Sequence, residues 1–290
     1  MTDNASGGRS SATEAAATAG TAAAGWLSSA VPGPASAPRP LRVGTVSAVN
    51  AALAAAATLV AVAFCLSTLD RWLRRRKPHE AAWTISLALF ALGAGAMWWA
   101  ETRGWSMPSF RVFYLAGAVL NVPWLALGTV YLLVGVRAGN RTRTWLLFLS
   151  GLAAGIVLAA PAKASVVATE MPTGKDVFGV APRVIAAVFS GVPALVIIGG
   201  ALWSVWRMVR ADNVPRRLVL GNLLIAAGTL ILSASGTLAG RLGKDEAFLI
   251  TLLAGICVLF AGFLVTSAPA SRRPALHAVV TPARRAAASR

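Results

Sequence analysis

Along this chain the hydrophobic positions neither alternate nor recur on a single helical face. They fill long blocks separated by short polar connections. A block of about 18 or more apolar residues, rising 1.5 Å per residue, crosses a hydrocarbon layer about 30 Å thick. The pattern predicts seven such spans, near Val43–Leu69, Ala81–Ala100, Phe110–Val136, Thr144–Ala162, Val184–Trp206, Leu218–Gly240 and Ala247–Ser267. The expected fold class is therefore all-α, a polytopic membrane protein with its membrane domain over residues 43–268.

The flanks differ in kind. Residues 1–42 are rich in Ala, Ser, Gly and Pro and end in VPGPASAPRP, a composition that cannot bury enough apolar surface to offset ordering entropy, so a disordered tail is expected. It lacks the basic start and 7–15-residue apolar core of a cleavable leader. Residues 269–290 form a basic tail carrying Arg272, Arg273, Arg284, Arg285 and Arg290. The composition agrees with membrane residence, at 57% hydrophobic and 13% charged with a mean hydropathy of +0.68, against roughly 45–50% apolar in a soluble domain.

A net charge of +17 on a soluble surface would suggest nucleic acid. Here the charges sit in the connections, where they set orientation instead, and no nucleic-acid partner is expected. The connections after spans one, three and five carry Arg71, Arg74, Arg75, Arg76, Lys77, Arg137, Arg141, Arg143, Arg207, Arg210, Arg216 and Arg217. Those after spans two, four and six carry Arg103, Arg111, Lys163, Lys175, Arg183, Arg241 and Lys244, diluted by acidic residues. The positive-inside rule then places the amino terminus outside a plasma membrane and the carboxyl terminus in the cytoplasm. Trp72, Trp83, Trp145, Trp203 and Trp206 fall at the inner interface, and Trp98, Trp99 and Trp105 at the outer one. The run Arg74–Lys77 suits anionic lipid headgroups, although topology alone also accounts for it. Cys65 and Cys257 lie inside apolar blocks and read as small hydrophobes.

The two halves match modestly. Phe110-x4-Leu115-Ala116-Gly117 overlies Phe248-x4-Leu253-Ala254-Gly255, and Leu92-Gly93 overlies Ala227-Gly228. Such matches suggest a 3+1+3 parallel repeat, with span four as inverting linker and a pocket between the triplets. In a chain so rich in Leu, Ala and Gly they also arise by composition alone.

Span three carries the most chemistry. Tyr114, Gly117, Ala118, Asn121, Trp124, Gly128 and Tyr131 recur at helical spacing and share one face. An amide facing lipid would cost several kcal/mol, so Asn121 must face protein or a cavity. Pro123 deprives the Val119 carbonyl of its donor and should bend the helix there. The stripe reads either as a polar, bent pocket wall or as interhelical glue. Span six repeats the choice with Asn222, Ala226, Thr229, Ser233, Gly236 and Gly240, where a packing seam is the simpler reading, and Pro193 offers a further kink in span five. Glu101, beside Arg103 and Arg111 at the outer headgroup level, suits either a ligand or an interfacial ion pair of little energetic weight. The candidate ligand-binding set is Glu101, Tyr114, Asn121, Trp124, Asn222 and Ser233.

No ionisable residue falls deep inside a span, which removes the relay a proton pump needs, and span seven lacks a lysine for a retinal Schiff base. The two histidines, His79 and His277, fall in cytoplasmic segments, away from any haem or metal in the bilayer. No nucleophile triad, zinc-protease or phosphate-loop pattern occurs, so neither an enzymatic activity nor a cofactor is expected.

The segment ETRGWSMPSFRVFYLAGAVLNVPWLALGTVYLL, with weaker similarity around Gly174–Pro182 and in RRLVLGNLLIAAGTL, resembles heptahelical membrane proteins of actinobacteria. The resemblance covers most of the membrane region and neither tail, and implies a topology and a source without an activity. Two functions remain open: a small-solute permease, or a heptahelical sensor, accessory or structural protein of the envelope acting through partners.

Overall fold

The computed structural model describes residues 41–210, 216–242 and 245–267, and the expectations for both tails lie outside them. Backbone contacts divide the chain into Met1–Thr45 and Val46–Arg290. The first unit is described only where the opening helix begins, and the helix packing belongs to the second. Every described element is helical or a connection. In chain order the helices are α1 (Leu41–Arg75), α2 (Pro78–Arg103), α3 (Met107–Leu133), α4 (Val136–Ala159), α5 (Val180–Val209), α6 (Arg216–Leu242) and α7 (Asp245–Ser267). Each contains a stretch long and apolar enough to cross a membrane. The protein is thus an all-α, seven-helix polytopic membrane protein, and its medium is a lipid bilayer. Leu59, Leu195 and Phe148, at 70%, 71% and 65% exposure, would be anomalous in water but are lipid-facing in this setting.

Successive helices run in opposite directions, so the connections fall at two ends. One end collects the arginine-rich connections and is called the basic end. The other carries the 160–179 connection and is called the capped end. Helix α3 is the hub, packing on α2, α4 and α5 and reaching α7 through Phe113 and Phe248, whose ring centroids are 6.2 Å apart. On the far side of α2, Phe64 of α1 stacks on Phe260 of α7 at 4.6 Å, and Trp83 of α2 meets Phe263 edge-on at 5.1 Å. Trp83 therefore turns into the bundle, as does Trp105 at 4% exposure, whereas Trp98, Trp99, Trp145, Trp203 and Trp206 stay exposed as belt residues do.

The α2–α3 seam is closed by Gly93 meeting Gly117. A Cβ on Gly93 would lie 2.9 Å from both Cα and N of Gly117, so the backbones touch where any side chain would hold them apart. The overlaid positions in α6 and α7 are packed differently, Gly228 against Leu259 and Gly255 against Leu232. The glycines that overlie in the sequence therefore do not make equivalent contacts, and a 3+1+3 repeat is not shown.

Two boundaries correct the sequence reading. Span three stops at Leu133, and α4 begins at Val136 rather than Thr144, because Gly135 at φ 102° turns the chain sharply between them. Arg137, Arg141 and Arg143 thus lie on the first turns of a helix, exposed, with Thr142 and Thr144 donating back to the carbonyls of Ala138 and Asn140. Helix α4 ends at Ala159, just before Pro161. The cysteines also differ from expectation: Cys65 is half-buried and its Sγ contacts the Thr84 carbonyl at 3.6 Å, but Cys257 is exposed on the lipid-facing side of α7.

Candidate functional site

Proline has no N–H for the carbonyl four residues back, and the chain answers Pro123 by widening rather than by a simple bend. Phe113–Leu120 forms a π-helical segment, which reverts to α-helix at Asn121. Across the seam the Ser86 hydroxyl of α2 donates to the Asn121 carbonyl at 2.7 Å, a buried bond that ties α2 to the end of the widened segment. The Asn121 side chain is 7% exposed, and its Oδ1 has no hydrogen-bond partner in the protein. This is the one member of the candidate set whose polar atom is left to be satisfied by something else.

The other five go to separate places. Tyr114 is buried near the capped end, where its hydroxyl donates to the Pro182 carbonyl at 3.4 Å and its ring packs against Gly174 and Phe178. Trp124 is buried among Ala82 of α2, Leu127 of α3 and Leu146 of α4. Glu101 accepts from Trp105 Nε1 at 3.0 Å, while Arg103 lies over the Trp99 ring and Arg111 donates to the Ala160 carbonyl at 2.7 Å. Asn222 and Ser233 donate to Leu218 and Thr229, carbonyls of their own helix. Of that stripe in α6 it is Ala226 and Thr229 that are buried, and the surroundings of Gly236 and Gly240 lie outside the described residues. The stripe on α3 is real as a buried face, but it meets α2 at Gly117 and Gly128, and α4 at Trp124 and Tyr131, rather than one shared space.

Three features escaped sequence reasoning. At the capped end the 160–179 connection folds back on the helices: Lys163 N donates to Val177 O, Trp105 N donates to Ala168 O, and fully buried Phe178 stacks on Phe110 at 5.4 Å. A cavity of about 650 Å³ opens beside it, lined by Trp105, Ser106, Met107 and Ala162–Val166. At the basic end Arg71 of α1 donates to the Ser67 carbonyl and to the Ser267 hydroxyl of α7, and lies over the Phe263 ring at 3.9 Å. Nearby on α2, Glu80 is 4% exposed, with Arg75 at 3.9 Å from one oxygen and no partner for the other. Finally, Ser150 of α4 has a buried hydroxyl without a partner. Its signal was available, since it falls in register with Leu146, Ala153 and Val157 on the only buried stripe α4 has among the described residues.

These features define the class of protein: a multi-pass, seven-helix membrane protein with a distorted hub helix. No family model matches the chain, nor does any curated protein or any solved structure.

Proposed function

We propose that the protein is a permease for a small solute, resting in a closed state, with α3 as its working helix. The observation that carries this reading is the π-helical segment Phe113–Leu120 beside Pro123 with the buried, unpartnered Oδ1 of Asn121 at its end. Widened turns cluster at functional positions, and a polar atom at mid-helix depth is costly to keep without a use. The 160–179 cap, held by Phe178, supplies a closed end. The reading takes the arginine-rich end as cytoplasmic in a plasma membrane, in contact with anionic headgroups, and takes the protein as non-enzymatic. The test is stopped-flow light scattering of proteoliposomes holding the full chain, under gradients of glycerol, urea and sodium chloride. At least one solute should cross faster than in protein-free vesicles, and N121L should remove most of the difference. Rates equal to protein-free vesicles for all three, or unchanged by N121L, refute the proposal.

The second reading is an accessory, sensor or structural protein of the envelope acting through partners at the basic end. It is favoured by the scatter of five of the six candidates and by the exposure of Arg74 and Arg75, whose side chains are 76% and 58% accessible. A partner that co-purifies with the intact chain and not with one lacking residues 269–290 would support it over the first.

A further inference from the structure

At the capped end the α2–α3 turn and the 160–179 connection border the cavity of about 650 Å³, a volume within the range of roughly 300–1,000 Å³ usual for small-ligand sites. Backbone fixes its shape, since Trp105 N donates to Ala168 O and Lys163 N donates to Val177 O, each at 2.9 Å. Gly104, at φ 93°, lets the turn come close to the connection, where a Cβ would stand 3.3 Å from Ala168 Cβ. The floor is apolar. Trp105 is 4% exposed and meets Phe110 and Phe113 edge-on at 6.3 and 5.8 Å, and Met107 and Val166 pack half-buried in the same cluster. The rim is polar and cationic. Lys163 and Ser165 line it, both exposed, and neither the ammonium nor the hydroxyl has a hydrogen bond or ion pair among the described residues. Ser106, the other hydroxyl there, has no proton to offer. The Ser109 hydroxyl donates to Ser106 O at 2.9 Å, so between the two hydroxyls, 3.0 Å apart, it is Ser106 that donates. Among the described residues no carboxylate lines the cavity, and Glu101 accepts from Trp105 Nε1 outside it. We infer that this cavity binds the singly charged phosphate of a phosphate diester, from a phospholipid of that leaflet or from a soluble ester. Lys163 and Ser165 hold the phosphate, and Trp105, Met107 and Val166 lie under the apolar group attached to it.

Charge selects the class of ligand. One ammonium balances one negative charge, which a diester carries at neutral pH, whereas a phosphate monoester carries about −1.5 to −2 and would leave a surplus. A diester also keeps two unesterified oxygens, one to accept from the Lys163 ammonium and one from the Ser165 hydroxyl. Depth agrees with this chemistry. Helix α2 ends at Arg103 and α3 begins at Met107, so the cavity lies where the helices leave the hydrocarbon. Arg103 over the Trp99 ring, at 4.9 Å, is the arrangement of a residue pair at headgroup level. The site is at the opposite end from the arginine-rich connections, and it does not depend on the permease reading.

The test is lysine acylation of the full chain in an uncharged maltoside detergent, which brings no phosphate, with peptide mass spectrometry comparing Lys163 with Lys175. Lys175 is exposed on the same connection but does not line the cavity, so it corrects for reagent and surface potential. Phosphatidylglycerol or diethyl phosphate should slow Lys163 about fivefold relative to Lys175, because an ion pair at this exposure lowers the reactive neutral amine by about that factor. Slowing by the lipid alone identifies a headgroup as the source, and slowing by diethyl phosphate shows that a soluble ester suffices. S165A should weaken the protection. A164W, which fills the cavity and leaves both donors in place, should abolish it while Lys163 still reacts without ligand. No slowing, equal slowing of Lys163 and Lys175, protection that survives either variant in full, or butyrate protecting as well as diethyl phosphate overturns the inference.

Discussion

Placing alanine at Gly93 and, separately, at Gly95 should change stability in opposite directions, although the two positions are only two residues apart on the same helix. Each substitution removes backbone freedom from the unfolded chain and adds about 0.5–1 kcal/mol of helix propensity. At Gly95 the new Cβ would stand 3.7 Å from Thr58 Cγ2, an ordinary contact, so that gain is kept. At Gly93 the Cβ would stand 2.9 Å from Cα and N of Gly117, and backbone cannot rotate aside as a side chain can. The helices must separate by several tenths of an ångström, an overpacking cost of about 1–3 kcal/mol that outweighs the gain. The pair should thus differ by about 1–3 kcal/mol, which is roughly fivefold to 150-fold in the unfolding equilibrium. Tryptophan fluorescence of the full chain in lipid discs, titrated with a denaturing detergent, measures this directly. The separation would also strain the Ser86–Asn121 bond on the same seam, so G93A should alter α3 as well as weaken the fold. If G93A proves as stable as G95A, the α2–α3 contact is not the backbone contact described.

Three further perturbations probe other parts of the bundle. R71M should destabilise by about 1–2 kcal/mol in the same titration, because it leaves the Ser267 hydroxyl and the Phe263 face without their cation, and partial exposure of Arg71 keeps the loss below that of a fully buried charge. R71K should recover only part of it, since an ammonium cannot span Ser67 and Ser267 while lying flat on a ring; full recovery would argue for charge alone. F178A removes a fully buried ring, worth about 3–5 kcal/mol in a core that unfolds as a whole, but its segment can open locally. Hydrogen exchange at Lys163 and Trp105 should therefore accelerate far more than global unfolding, and equal acceleration of both would place the cap within the main cooperative unit. With both native cysteines replaced by alanine, S165C should react with a membrane-impermeant maleimide added outside cells and R141C only after permeabilisation; the reverse pattern would invert the proposed orientation.

What the sequence could and could not convey follows from the range of each interaction. Seven spans were legible because a bilayer imposes one length and one polarity on every helix, and that constraint acts within a single stretch of chain. The start of α4 was misread because Arg137, Arg141 and Arg143 look like loop, while the feature that decides it is the backbone of Gly135, whose φ of 102° no composition displays. Pro123 announced a disturbance in α3, yet whether a helix kinks or widens depends on neighbours, here Ser86 reaching from α2 to the Asn121 carbonyl. The candidate residues were chosen for polarity and depth, which are properties of one residue, whereas a site requires several to meet. Tyr114, Trp124 and Asn121 share a face of α3 and still look onto different helices. A polar group in a membrane helix is therefore best judged by what faces it on the adjacent helix, and for Asn121 that is α2, whose Ser86 hydroxyl binds its carbonyl while its own Oδ1 stays without a partner.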